Sequence, residues 1–302
     1  MSFIHVQHLN KQFDGTAVIE DVSFQLEKGM CVSLLGPNGA GKTTTLRILS
    51  GLMKPTSGII TFEGKSNKED IRSWIGYLPQ YPVFHNWMSG REFLIYVARL
   101  AYLSKKEAAS RADQLLQKVG LHDAKNRRIG KYSGGMKQRL GIAQAMIHRP
   151  KLIMLDEPVS SLDPNGRREV LNLIDELKKE TTILFSTHIL SDAEEVSDRL
   201  LLLHNGTLHH SGTIEELQAT QAVNRIILRF DSQPERYIEQ LDSLPEVIHI
   251  EQNREALYIE ANKIEAARSA ILHQAAQYQW PLTSFEIGRL SLEELFMKVV
   301  NK

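Results

Sequence analysis

Gly36-Pro37-Asn38-Gly39-Ala40-Gly41-Lys42-Thr43-Thr44 is the stretch from which the rest of the chain can be read. It fits G-x-x-x-x-G-K-[ST], a loop that wraps phosphate. Upstream runs Met30-Cys31-Val32-Ser33-Leu34-Leu35, a mostly apolar segment suited to a buried parallel strand. Downstream, Thr45-Leu46-Arg47-Ile48-Leu49-Ser50 predicts the opening of a helix. Strand, loop and helix thus stand in the order the motif needs. The glycines let the backbone curl so that its N–H groups face an anion. The helix N-terminus adds unpaired N–H groups and a partial positive charge. Lys42 is then placed to reach the β- and γ-phosphates, and the Thr43 hydroxyl to hold Mg²⁺.

At 302 residues the chain is long for one domain and suggests two. Its 42% hydrophobic and 24% charged residues are a globular composition. Lys plus Arg and Asp plus Glu both number 36, so no global charge recruits DNA or RNA, and no nucleic-acid partner is expected. Cys31 is the only cysteine, which precludes an internal disulfide and suits a reducing compartment. The start, Met1-Ser2-Phe3-Ile4-His5-Val6, has no basic segment followed by a long apolar run, so no signal peptide is expected. The longest apolar runs, such as Leu200-Leu201-Leu202-Leu203, are strand-sized, so no membrane-spanning segment is expected.

Alternation in Ile4–Leu9 and Val22–Leu26 predicts strands, with a turn over Lys11–Gly15 and a hairpin turn at Glu27-Lys28-Gly29 into the strand before the loop. Ile59–Phe62 and Ile75–Leu78 are further strands. Tyr81–Ser89 carries Pro82, His85, Trp87 and Met88 without a period, and is either a contact surface or the cap of a local core. Residues 90–128 read as helical, Arg91–Leu103 and Lys105–Val119, the second opening on the capping box Ser104-x-x-Glu107 and closing at Gly120. Helices are predicted over Met136–His148 and Asn165–Lys178, and another after Ser191, read as an N-cap with Glu194 three residues on. Strands are predicted over Leu152–Leu155 and Thr182–Ser186, and a hairpin around Asn205-Gly206. This alternation predicts a largely parallel sheet with sites at the strand C-termini. Beyond about residue 220 the order becomes strand Asn224–Phe230, helix Pro234–Leu244, paired strands Val247–Ile250 and Ala256–Glu260, helix Ile264–Tyr278, strand Thr283–Ile287 and a last helix Ser291–Val300. That order, β-α-β-β-α-β, is ferredoxin-like.

Chemistry gathers at the predicted strand ends. Asp156 and Glu157 close an apolar strand, where Asp156 can coordinate Mg²⁺ and Glu157 can orient and deprotonate a water. Gln80 follows another strand and can ligate Mg²⁺ or water, or can simply be a surface glutamine. His188 can contact a γ-phosphate and the water, or be a structural histidine. Ser133-Gly134-Gly135 is a helix cap or a second anion grip. One P-loop and one distant grip invite a symmetric pairing in which each chain's grip closes on the other's nucleotide.

Taken together, from about residue 2 to 217, these motifs resemble the ATP-binding subunit of an ABC transporter. Gly36–Thr43 matches its Walker A motif, Gln80 its Q-loop and Tyr132-Ser133-Gly134-Gly135-Met136 its signature, usually LSGGQ. Leu152–Asp156 matches Walker B with Glu157 as catalytic carboxylate, Ser160-Ser161-Leu162-Asp163 the D-loop, and His188 the switch histidine. Phe13 sits where the family places an aromatic that stacks on adenine. Two signature positions depart from the usual form, Tyr132 for Leu and Met136 for Gln, but Ser133 and the glycines remain.

The resemblance implies a P-loop NTPase α/β core with an antiparallel β subdomain and an inserted helical subdomain (about 86–148). This ATP-binding domain would span 1–220, and a small α+β ferredoxin-like domain would span 221–302. It also implies ATP and Mg²⁺ as cofactors, ATP hydrolysis and a homodimer. Tyr132–Leu140 and the ending Ser291–Phe296 resemble the subgroup that pairs with a separate membrane permease of type 2 ABC exporters. That places the chain peripherally on the cytoplasmic face of a bacterial-type membrane, with loop 81–90 and nearby helices receiving the permease. The alternatives are a soluble ABC ATPase acting on ribosomes or DNA, and a regulator that binds nucleotide without turnover. A single P-loop, no sustained heptads and balanced charge argue against the first; Lys42 and Glu157 argue against the second.

Overall fold

The computed structural model describes residues 2–66, 71–220, 225–231, 233–253, 256–288 and 296. The chain divides into two compact units, 1–214 and 215–302, a break that falls ahead of the expected one at 220.

In the first unit β1 (Ser2–Phe13) and β2 (Thr16–Glu27) form a long hairpin. β3 (Cys31–Leu35) leads through the glycine-rich loop into α1 (Lys42–Leu49). β4 (Ser57–Phe62) and β5 (Lys65–Ser66) return to the hairpin, giving a four-stranded antiparallel sheet in the order β2-β1-β4-β5. After β6 (Ile75–Leu78) come α2 (Gly90–Leu100), α3 (Lys105–Lys118) and α4 (Gly134–Ala145). Then follow β7 (Leu152–Asp156), α5 (Pro164–Leu177), β8 (Thr182–Thr187), α6 (Leu190–Val196), β9 (Arg199–His204) and β10 (Thr207–Gly212). The second sheet has the order β10-β9-β3-β8-β7-β6 and is parallel except for β10.

Every residue of β3, β7 and β8 is buried, the condition of parallel strands covered on both faces. One face packs on α1 and the four-stranded sheet through Leu34, Leu46, Leu49, Phe62 and Met154. The other continues into the helical block through Ile153, Leu155, Phe185, Leu94 and Leu116, so α2–α4 share a core with the sheet. Gly76 permits this: a Cβ there would meet the carbonyl carbon of Ala145 on α4 at 2.8 Å. Register sets the strand ends level, with Leu35 opposite Thr187, Asp156 opposite Ser186 and Leu78 opposite Leu155. The loops bearing Lys42, Gln80, Glu157 and His188 therefore leave the sheet at one edge.

Several local expectations change. β1 runs on to Phe13, because its residues pair with β2 up to Thr16, and the turn shrinks to Asp14-Gly15. Lys28-Gly29 is a turn, but β2 and β3 belong to different sheets, so no hairpin forms there. α3 ends at Lys118, with Gly120 at φ +65°, and residues 122–126 are turns, followed by a bend at 127, rather than helix. Ser191 is not a cap: α6 starts at Leu190, and the Ser191 hydroxyl accepts from Arg167 at 2.8 Å. In Tyr81–Ser89 both readings hold in part. Phe84 and Met88 turn to the core, Phe84 edge-on to Phe93, while Tyr81, Val83 and Trp87 are exposed.

The second unit begins with α7 (Ile214–Thr220), which opens at the division. β11 (Arg225–Phe230) leads through a 3-10 turn, Pro234–Tyr237, into α8 (Ile238–Asp242), a shorter helix than expected. β12 (Val247–Asn253), β13 (Ala256–Ala261), α9 (Ile264–Gln277) and β14 (Leu282–Gly288) complete it. Its antiparallel order, β12-β13-β11-β14, is that of a ferredoxin-like sheet around a separate core of Ile226, Leu228, Leu257, Ile259, Ile271 and Trp280. The expected last helix, Ser291–Val300, lies outside the described residues save Phe296.

Candidate active site

The P-loop glycines are required by geometry at two points. Gly41 caps α1 at φ +102°, a region where side chains are strained. Gly36 lies against the Leu203 carbonyl, where any Cβ would collide. A pocket of about 330 Å³ opens above the loop, lined by Asn38, Gly39, Ala40, Gly41, Lys42, Thr43, Thr44, Gln80 and Glu157, with Val18 from β2.

The Lys42 ammonium is buried. It donates to the Gly36 and Pro37 carbonyls at 2.8 and 3.1 Å and lies 3.2 Å from Glu157 Oε1. Three acceptors thus fix its head beside the loop N–H groups. The Thr43 hydroxyl donates to Asp156 Oδ1 at 3.0 Å. A hydroxyl beside a carboxylate is a hard-oxygen donor set, suited to Mg²⁺ completed by phosphate oxygens and water. Asp156 is itself held: Ser186 donates to its Oδ1 at 2.8 Å, and the same Ser186 oxygen accepts from the Glu157 N–H at 2.8 Å. One strand-end hydroxyl therefore sets both acids. Glu157 sits at φ +49°, an uncommon backbone for a non-glycine, which turns its side chain back over the loop. Its Oε2 lies 2.8 Å from Nδ1 of His188, and because a carboxylate only accepts, Nδ1 carries the hydrogen.

No local sequence pattern marks Ser186, Val18 or Tyr77, which the fold brings to the site. Tyr77 Oη stands 3.5 Å from Asp156 Oδ2; burial, then the Asp156 charge, pushes its phenol pKa up. A second unread group orients the histidine loop. Asp192 is fully buried and takes Nε of Arg167 at 2.7 Å, while Thr187, next to His188, donates to its Oδ2 at 3.3 Å. Burial raises the Asp192 pKa, and Arg167 opposes that shift. The signal in the sequence was only an Arg in the first turn of α5 and an acid after His188.

The remaining expected residues lie elsewhere. Ser133 caps α4, accepting from the Met136 N–H at 3.2 Å, and Ser133 and Gly134 are exposed. Gly134 and Gly135 lie beside Leu162 and Gly166, and Asp163 caps α5 by accepting from the Gly166 N–H at 3.0 Å. None of these lines the pocket above the P-loop. Phe13 does not line it either; it is half exposed, with the Lys11 ammonium 4.7 Å from its ring centroid.

Comparison with known proteins agrees with this geometry. The ABC transporter family model matches residues 19–160, and the model of the C-terminal domain of DrrA1-3-like ATP-binding proteins matches residues 212–300. The ABC transporter ATP-binding protein YxlF of Bacillus subtilis (strain 168) is 43% identical over 298 residues, 99% of both chains. The daunorubicin/doxorubicin resistance ATP-binding protein DrrA of Streptomyces peucetius is 32% identical over 97% of this chain and 91% of its own. A solved ATP-binding subunit of an ABC transporter superposes with a TM-score of 0.64 at 34% identity, over 72% of this chain and 93% of that one. The chain belongs to the ABC transporter ATP-binding subunits: it is an ATPase of that family, with a DrrA-like C-terminal domain.

Proposed function

We propose that two copies of this chain close head-to-tail on two ATP molecules, and that closure and hydrolysis power export through a separate membrane permease. One observation carries the reading. The exposed Ser133-Gly134 grip and Asp163 stand outside the pocket that holds Lys42, Thr43 and Glu157, so a second copy can bring them to the nucleotide.

In this reading residues 36–44 wrap the phosphates and Lys42 exchanges Glu157 and the loop carbonyls for β- and γ-phosphate oxygens. Phe13 stacks on the base through the ring face that Lys11 leaves free. Glu157 accepts a proton from the attacking water, and His188, tethered to Glu157, contacts the γ-phosphate. Ser133, Gly134, Gly135 and Asp163 meet the partner copy's nucleotide. Thr43, Asp156 and Gln80 would hold Mg²⁺, which would offset phosphate charge there. No helix among the described residues is long and apolar enough to cross a membrane. In this reading the permease is a separate integral protein, docked on exposed Tyr81, Val83 and Trp87 at the cytoplasmic face. Export is the direction favoured by DrrA, named for drug resistance. Residues 221–302 stabilise or regulate the dimer.

The test is steady-state ATPase measured on the purified chain, alone and with the integral protein that co-elutes from membranes, with and without a Mg²⁺ chelator. Turnover that needs the cation and rises with the membrane protein is expected. No turnover in any arm would contradict the reading.

A further inference from the structure

The segment before the Ser133 grip is sewn to the segment that carries Trp87. The Ile129 N–H donates to Met88 O at 2.8 Å, Gly130 N–H to Asn86 O at 3.0 Å, and Arg91 N–H to Lys125 O at 3.0 Å; Ser89 and Arg128 form an isolated bridge. Tyr132 closes this seam. Its ring is buried and its hydroxyl donates to the Ala124 carbonyl at 2.8 Å. The ring lies flush on Gly90, the first residue of α2, where a Cβ would collide with Oη and meet Cζ at 3.2 Å. The next residue, Ser133, is the N-cap of α4. A leucine at 132 would fill part of the space but reach no carbonyl.

We propose that Tyr132 is a positioning residue that ties the exposed loop 81–89 and the start of α2 to the Ser133 grip. A displacement of the loop then moves the N–H groups at the start of α4, and the hydroxyl bond keeps the two from slipping. Backbone bonds alone leave Ser133 hinged at the end of a 3-10 turn, Ile129–Lys131; the phenol adds the side-chain tie that crosses it. This inference rests on the reading of Ser133 as a grip on the partner copy's nucleotide.

Tyr132→Phe removes only the hydroxyl and keeps the ring on Gly90. ATP turnover of the full chain at saturating ATP is expected to fall roughly three- to tenfold, the scale of one lost hydrogen bond. ATP affinity should stay close to the parent's, and the melting temperature should fall by no more than the loss of one hydrogen bond allows. Gly90→Ala, which presses on the same ring from the loop side, should lower turnover similarly. In a Tyr132→Leu background, where the ring is gone, Gly90→Ala should do nothing more. Unchanged turnover in Tyr132→Phe would overturn the proposal. A parallel fall in ATP affinity and melting temperature would also overturn it, since that is what mere packing gives. Additive effects of Gly90→Ala and Tyr132→Leu would do the same. Ser133→Ala, measured alongside, separates the two levels. Loss of turnover there, without loss in Tyr132→Phe, defeats the tie alone; full turnover in both defeats the grip on which it rests.

Discussion

Nζ of Lys42 lies 3.2 Å from Oε1 of Glu157, and both side chains are almost wholly buried. The P-loop cation and the carboxylate proposed to activate water are thus one ion pair. The pair is asymmetric: Lys42 keeps two carbonyl acceptors if Glu157 goes, whereas among the described residues Glu157 keeps only His188 if Lys42 goes.

Glu157→Gln removes the base and leaves Lys42 satisfied. ATPase turnover should fall by about 100-fold or more, the usual worth of a general base. ATP affinity should hold or improve, because a competitor for the ammonium has been removed. Steady-state rates and nucleotide titration check both; near-normal turnover rejects the role.

Lys42→Ala should weaken ATP binding by about tenfold or more, because a charge-assisted contact to phosphate is lost. It should also destabilise the fold by about 3 kcal/mol, since Glu157 is left buried without a countercharge. Adding Glu157→Gln should restore much of that stability but none of the affinity. Denaturant midpoints and ATP titration on the single and double variants separate the two effects. Recovery of affinity in the double variant would contradict the assignment of Lys42.

Burial holds the His148 imidazole below its ordinary pKa; its bond to the Ile75 carbonyl at 3.1 Å opposes this, and Arg111 adds to it. The unfolded chain therefore takes up this proton first as pH falls. Stability due to neutral His148 is present above the ordinary value near 6.5 and drains away as pH drops through the lower, folded value. Urea midpoints should fall from pH 7.5 to 5.5, and less steeply in His148→Gln, which can still donate to Ile75. Equal slopes would remove His148 as the cause.

In the second unit Trp280 packs 6.2 Å from Phe230 and 5.2 Å from Tyr237, centroid to centroid. Trp280→Ala should cost that unit about 3–5 kcal/mol. ATP affinity should not change, because every residue assigned to the nucleotide lies within 1–214. If the unit unfolds at lower denaturant while ATP-driven dimerisation and turnover stay at parent levels, residues 221–302 have no part in regulating the dimer.

Legibility followed range in sequence. The P-loop, the capping box at Ser104 and the turn at Asn205-Gly206 are written in adjacent residues, and all three form. Ser186 was invisible because its role comes from register: only when β7 pairs with β8 does it stand opposite Asp156. Val18 reaches the pocket only through β2, and Asp192 matters only because α5 brings Arg167 to it. Ser191 misled because S-x-x-E fits a cap equally well one residue inside a helix. The turn at Lys28-Gly29 reads as a hairpin because local residues do not say which sheet the next strand joins.

The central claim is that one copy's Ser133 meets the other copy's ATP. The most direct measurement is sizing chromatography of Glu157→Gln with and without ATP, with bound nucleotide counted, repeated in Glu157→Gln/Ser133→Ala. The expected result is a dimer holding two ATP in the first protein and an ATP-bound monomer in the second. A monomer in both, or a dimer indifferent to Ser133, would contradict the account.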